Sequence, residues 1–250
     1  MAPVGKRAVY PPDGTAVNRE ATGRALRRYS SGASDSRGKP VAVLPIPMPR
    51  LVIFDLDEVL VDFLPEARLE RLAALTGRPP DALHAAWWGS DHEIRAEAGE
   101  HADGADYLQA FNARIGFALT RGQWFEARRA AMRVRTDVLD YARELATRVP
   151  LALLTNNGPL LRETLPELVA GIGALFGPRL HASADFGARK PEPAVFERLL
   201  ARHGIAAPDA LMIDDQEANV AGARSAGLAA IRYRDLPDLA ARLEHWLATR

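Results

Sequence analysis

Apolar residues run unbroken through Leu51-Val52-Ile53-Phe54 and stop at Asp55-Leu56-Asp57. A short, wholly apolar run bounded by charge predicts a strand covered on both faces, with acids at its tip. From Phe63 to about Arg135 the period changes to that of helices. Leu64-Pro65-Glu66 opens a first helix whose stripe is Leu69, Leu72, Ala73 and Leu75, and Gly77 ends it. Pro79-Pro80-Asp81 opens a second through Trp88, and a short third covers Asp91 to Ala98. Asp103 to Phe117 carries Tyr107, Leu108, Phe111 and Ile115 on one stripe, and Thr120 caps a helix through Gln123, Trp124, Ala127 and Met132. From Thr136 onward helices alternate with short apolar runs: strands at 150–154, 179–183, 210–213 and 228–233, and helices at 137–148, 159–169, 191–203 and 216–226. A last helix, capped by Asp235, carries Leu236, Leu239, Leu243 and Trp246.

Alternation of this kind implies βαβ units with right-handed crossovers. The expected fold is α/β: a doubly wound, Rossmann-like parallel sheet at 50–62 and 136–250, with an all-helical cap inserted at 63–135. Residues 1–49 are rich in Pro, Gly and Ser and read as a disordered or linker-like extension. That extension has a net charge of +5 in a chain that is neutral overall, so a basic arm for nucleic acid or an organelle presequence is an alternative reading of it.

Composition narrows the chemistry. The chain has 250 residues and no cysteine, which excludes disulfides, thiolate zinc sites and cysteine nucleophiles. No apolar run approaches a membrane span, and we expect a soluble, cytoplasmic protein. Lysine occurs only at positions 6, 39 and 190 although arginine is abundant, so Lys190 stands out as a required point charge.

Three of the expected strands end in polar residues: Asp55/Asp57, Thr155/Asn156 and Asp214/Asp215. In a doubly wound sheet these tips lie side by side, at the edge where ligands bind. Same-side carboxylates repel and call for a cation, and an all-oxygen donor set suits Mg²⁺. Thr155 and Asn156 offer donors for the oxyanions of a ligand. In the helical block, Trp87, Trp88, Trp124 and Tyr107 fall on helix stripes and read as core. His84, His92, Glu93, Arg95 and His101 are candidate substrate contacts; His92, Glu93 and His101 are too irregularly spaced for a metal cluster.

Leu51 to Asp62, Leu153 to Gly158, Arg189 to Phe196 and Leu211 to Leu228 resemble, in order, the four signature motifs of the haloacid dehalogenase-like (HAD) hydrolase superfamily. The resemblance implies that Asp55 is a nucleophile forming an aspartyl-phosphate and Asp57 the general acid/base. It implies phosphoryl binding by Thr155 and Lys190, with Asn156 beside them. Mg²⁺ would be held by the Asp55 carboxylate, the Asp57 backbone carbonyl and Asp215, with Asp214 assisting. Two positions depart from the usual pattern: Glu58 stands where glycine is commonest, and Asp214 where the family usually has glycine. We expect Glu58 to face solvent. The function expected is a Mg²⁺-dependent phosphohydrolase acting on a small phosphorylated metabolite. A phosphomutase, a 2-haloacid dehalogenase or a non-catalytic binding member are the alternatives. Mg²⁺ and the small substrate are the expected partners, with no membrane and no nucleic acid beyond the arm.

Overall fold

A central strand buried on both faces organises the molecule, and the sequence of β1 (Leu51–Phe54) shows how. Val52 and Phe54 point into one apolar cluster, while Leu51 and Ile53 point into another on the opposite face. The same alternation runs through β4 (Leu151–Thr155) and β6 (Ala210–Asp214), which pair with β1 in parallel, Ile53 lying beside Ala152 and Met212. The computed structural model describes residues 50–249, so the extension expected over residues 1–49 lies outside the described residues. The sheet is completed by β5 (Leu180–Ala182) and β7 (Ala229–Arg232), all parallel, in the order β5-β4-β1-β6-β7. This is the α/β, Rossmann-like sheet expected from the alternation of strands and helices.

Five helices form the block inserted after β1: α1 (Pro65–Thr76), α2 (Pro80–Ala86), α3 (His92–Glu97), α4 (Gly104–Ile115) and α5 (Arg121–Ala130). Their boundaries follow local chemistry. Gly77 and Gly116 close α1 and α4 in the left-handed conformation, and Thr120 and Gln123 form a reciprocal capping box at the start of α5. Periodicity carries the last of these helices to Met132, but α5 stops at Ala130 and the chain enters a strand. That strand, β3 (Met132–Val134), pairs antiparallel with β2 (Val61–Phe63), making a two-stranded ribbon at the neck of the helical block. Three-residue strands leave too little period-2 signal to be read in the sequence.

The remaining helices are α6 (Thr136–Leu145), α7 (Pro159–Leu168), α8 (Ile172–Phe176), α9 (Pro193–His203), α10 (Glu217–Ser225) and α11 (Leu236–Ala248). The five-residue α8 has no counterpart in the sequence reading.

The described residues all fall in one compact unit. One apolar cluster is continuous from the sheet face into the helical block, where Trp87, Tyr107, Phe111 and Trp124 are buried as core; Trp88, also read as core, is half-buried and packs against the cluster. Burial of each such side chain stabilises by roughly 1.5–3 kcal/mol. Glycine at 158 permits this packing, since a Cβ there would lie 2.7 Å from the Tyr107 ring. The backbone of α10 comes as close to the loop before α9: a Cβ on Gly222 would sit 2.1 Å from the Pro191 carbonyl oxygen. No described helix is long and apolar enough to cross a membrane.

Candidate active site

The carboxyl ends of β1, β4 and β6 deliver their polar residues to one cavity of about 350 Å³, whose lining includes Asp55, Asp57, Thr155, Asn156, Lys190 and Asp215. At its floor Lys190 is buried, with Nζ 2.7 Å from Asp55 Oδ1 and 2.7 Å from Asp214 Oδ2. Burial alone would lower the ammonium pKa, but the two carboxylates outweigh it and hold Lys190 above its ordinary value, so it stays charged. Asp55 Oδ1 also accepts from the Leu56 N–H at 2.8 Å. Burial pushes the Asp55 carboxyl well above the carboxylate range; Lys190 opposes that push and Asp214 adds to it. Asp214 is fully buried and receives further bonds from the Gln216 N–H (3.0 Å) and Asn219 Nδ2 (2.9 Å).

Asp215 stands at the cavity wall, its carboxyl raised by burial and then by Asp214. Oxygens of Asp55, Asp214 and Asp215 all lie within 4.8 Å of one another. Three converging carboxylates with neither His nor Cys form an oxygen-only donor set, which fits a hard divalent cation of the Mg²⁺ type.

Asp57 leaves this group. It lies beyond the strand, in the turn that leads to β2, and both of its oxygens accept from Arg128 Nη2, at 2.7 and 2.9 Å. Arg128 comes from α5, is buried, and lies over the Phe63 ring at 4.1 Å. The repelling pair expected at the tip of β1 is thus separated by two cations, Lys190 on Asp55 and Arg128 on Asp57. Arg128 is not among the residues that the sequence singled out on this helix.

Asn156 lines the cavity, but both ends of its amide are engaged by the Lys190 backbone: Oδ1 accepts from the Lys190 N–H (2.9 Å) and Nδ2 donates to the Lys190 carbonyl (2.8 Å). It therefore fixes the loop carrying Lys190. Asn157 donates from Nδ2 to Thr155 Oγ1 at 2.7 Å, with Asp57 Oδ2 3.5 Å away.

Glu58 has φ +61°, a left-handed conformation that explains the preference for glycine there. The strain is offset by bonds: Oε1 accepts from the Phe63 N–H (2.9 Å), and Arg135 donates to the Glu58 carbonyl (2.6 Å) and to Oε2 (3.1 Å). Its side chain is 44% exposed, yet it is bonded back into the turn and lines the cavity, so the expectation of a solvent-facing residue holds only in part.

The block above contributes a different residue from those expected. None of His84, His92, Glu93, Arg95 or His101 lines the cavity; Glu97 does. Glu93 instead accepts hydrogen bonds from Trp87 Nε1 and from Tyr107 Oη, and His92 and His101 stack on Trp87. Glu97 is paired with Arg189, and burial pushes its carboxyl up to about 7.

The family profile of haloacid dehalogenase-like hydrolases matches residues 49–227. A phosphoglycolate phosphatase of Pseudomonas putida is 32% identical over 202 residues, covering 74% of this chain and 70% of that protein. Among solved structures, a predicted HAD-like family hydrolase from Porphyromonas gingivalis superposes with TM-score 0.62 at 23% identity, over 81% of this chain and all of that one. A HAD family enzyme from Bacteroides thetaiotaomicron, in complex with magnesium and inorganic phosphate, gives TM-score 0.61 at 18% identity, covering 76% and 98% of the two chains. A 2-haloacid dehalogenase from Pseudomonas syringae gives 0.56 at 24% identity, over 80% of this chain and all of that one. At such identities the structures speak for the fold, whereas the profile spans most of this chain and every strand tip described above. The chain belongs to the haloacid dehalogenase-like hydrolase family.

Proposed function

We propose that the protein is a Mg²⁺-dependent phosphomonoesterase acting on a small phosphorylated metabolite through an aspartyl-phosphate on Asp55. The observation that carries this reading is the buried Asp55–Lys190–Asp214 arrangement, in a cavity that also exposes Asp57 and Thr155. In this reading the Asp55 carboxylate attacks phosphorus in line with the leaving oxygen, splitting one difficult displacement into two. Asp57 gives a proton to that oxygen and later takes one from the attacking water. Thr155 Oγ1 and Lys190 Nζ bind the equatorial oxygens. Asp55, Asp214 and Asp215, with the Asp57 carbonyl, would hold Mg²⁺, which supplies positive charge against the charge of the phosphoryl group. Residues 63–135 act as a cap whose neck is the β2–β3 ribbon, and shutting out bulk water strengthens every electrostatic interaction in the cavity.

The similarity to phosphoglycolate phosphatase makes phosphoglycolate a first compound to assay. A 2-haloacid dehalogenase has no use for the acidic trio or for a second acid at Asp57, which disfavours that alternative. A phosphomutase shares all of these residues, and a substrate screen separates the two. The test is hydrolysis of p-nitrophenyl phosphate with Mg²⁺, which chelation should abolish. Asp55→Asn should cut turnover at least about 10³-fold and remove the phosphoryl mass increment trapped on the wild type. Full activity in Asp55→Asn would sink the mechanism.

A further inference from the structure

Most cations around the cavity are already committed. Lys190 is shared by Asp55 and Asp214, Arg128 is held by Asp57, and Arg135 by Glu58 and Asp62. Arg189 differs. Its Nε donates to Glu97 Oε2 at 2.6 Å, whereas Nη1 and Nη2 have no hydrogen-bond partner among the described residues, and the side chain is 28% exposed at the cavity wall.

Both members of this pair are anchored. Arg189 directly precedes Lys190, whose backbone Asn156 clamps, and its own carbonyl accepts from the Glu192 N–H at 2.8 Å. Glu97 ends α3, and its carbonyl accepts from the fully buried Ser183 Oγ at 2.8 Å. A guanidinium held at Nε, with no hydrogen-bond partner on its terminal amino groups among the described residues and a place in the cavity lining, is suited to a planar anion bound by two parallel hydrogen bonds. Its place in the chain puts it one residue from the phosphoryl-binding lysine.

We infer that Arg189, oriented by Glu97, recognises a carboxylate on the leaving group, so that the preferred substrates are phosphomonoesters of small hydroxy acids. This rests on the phosphomonoesterase reading above. Arg189 is then a specificity-determining residue, and Glu97 a positioning residue acting through it. The other role open to the pair is a strut between the helical block and the sheet.

The experiment compares kcat/KM for phosphoglycerate and glycerol phosphate, which differ by a carboxylate against a hydroxymethyl group, with Mg²⁺ present. Both are measured on the same preparation, so their ratio does not depend on the fraction folded. The wild type should favour the carboxylate by about 10- to 100-fold, the worth of a hydrogen bond to a charged group. Arg189→Met should collapse the ratio to within about threefold, chiefly by raising KM for phosphoglycerate; Arg189→Lys, charged but without the fork, should fall between. Glu97→Ala should lower the ratio, and Glu97→Gln, which keeps an acceptor, should restore part of it. A wild-type ratio near one, or an unchanged ratio in Arg189→Met, overturns the assignment and leaves the strut. Failure to hydrolyse any phosphomonoester, p-nitrophenyl phosphate included, overturns the phosphatase reading and this inference with it.

Discussion

Replacing Lys190 by Met removes the charge on which the floor of the cavity depends and keeps an apolar stem of similar length. Lys190 is 1% exposed and its partners Asp55 and Asp214 are 6% and 0% exposed, so the lost ammonium leaves carboxylates with little solvent to compensate them. Two carboxylates are left facing each other, with Asp215 within 4.8 Å of both. Breaking a buried ion pair by deleting one partner costs about 3–5 kcal/mol. In a folded unit of this size each kcal/mol moves the melting temperature by roughly 2–4 °C, so a fall of about 6–20 °C is expected in a thermal scan without divalent cations. The deficit has a pH dependence whose sign follows from Asp55. Its folded-state carboxyl is already raised by burial, and losing Lys190, which opposes that rise, takes it higher. The folded variant then binds a proton more tightly than the unfolded chain, so its deficit is largest at alkaline pH and shrinks as pH falls toward the ordinary carboxylate range. Mg²⁺ should restore stability by mass action, about 2.7 kcal/mol at a concentration a hundred times the Kd. A loss below about 1 kcal/mol without metal, or a melting temperature indifferent to Mg²⁺, would refute the reasoning.

Glu97 gives a second pH signature. A carboxyl moved from 4.5 to about 7 on folding costs the native state about 3 kcal/mol once ionised. That cost is absent below 4.5, grows through the window and is complete above about 7, so wild-type stability should fall across it. Glu97→Gln should flatten the melting-temperature profile there, and parallel profiles would contradict the burial argument. For the acidic trio, Asp215→Asn should raise the Mg²⁺ concentration for half-maximal activity at least about tenfold, read from a Mg²⁺ titration; an unchanged midpoint removes Asp215 from the metal site.

Individual residues show where reading the sequence succeeds and where it stops. Lys190 was legible because a lone lysine in an arginine-rich chain advertises a special charge, and it lies at the cavity floor. Glu97 was passed over for its neighbours His92, Glu93, Arg95 and His101, because a short helix shows no period from which to choose the inward residue. Asn156, read as an oxyanion donor, also holds the backbone of Lys190, 34 residues away, through its amide, a contact that no local signal announces.

By itself the sequence determined the five strands of the parallel α/β sheet, most of the helices and the three polar strand tips, but not the β2–β3 ribbon. Hydrophobic period, capping residues and turn glycines are local signals, and a buried parallel strand ending in acid is conspicuous at any length. Tertiary structure alone decided which cation each acid receives: Arg128 for Asp57, Arg135 for Glu58 and Asp62, Arg189 for Glu97. In one dimension nothing pairs these arginines with their acids. Only the path of the chain, bringing residues 71, 77 and 92 positions apart to within hydrogen-bond distance, turns them into parts of a site.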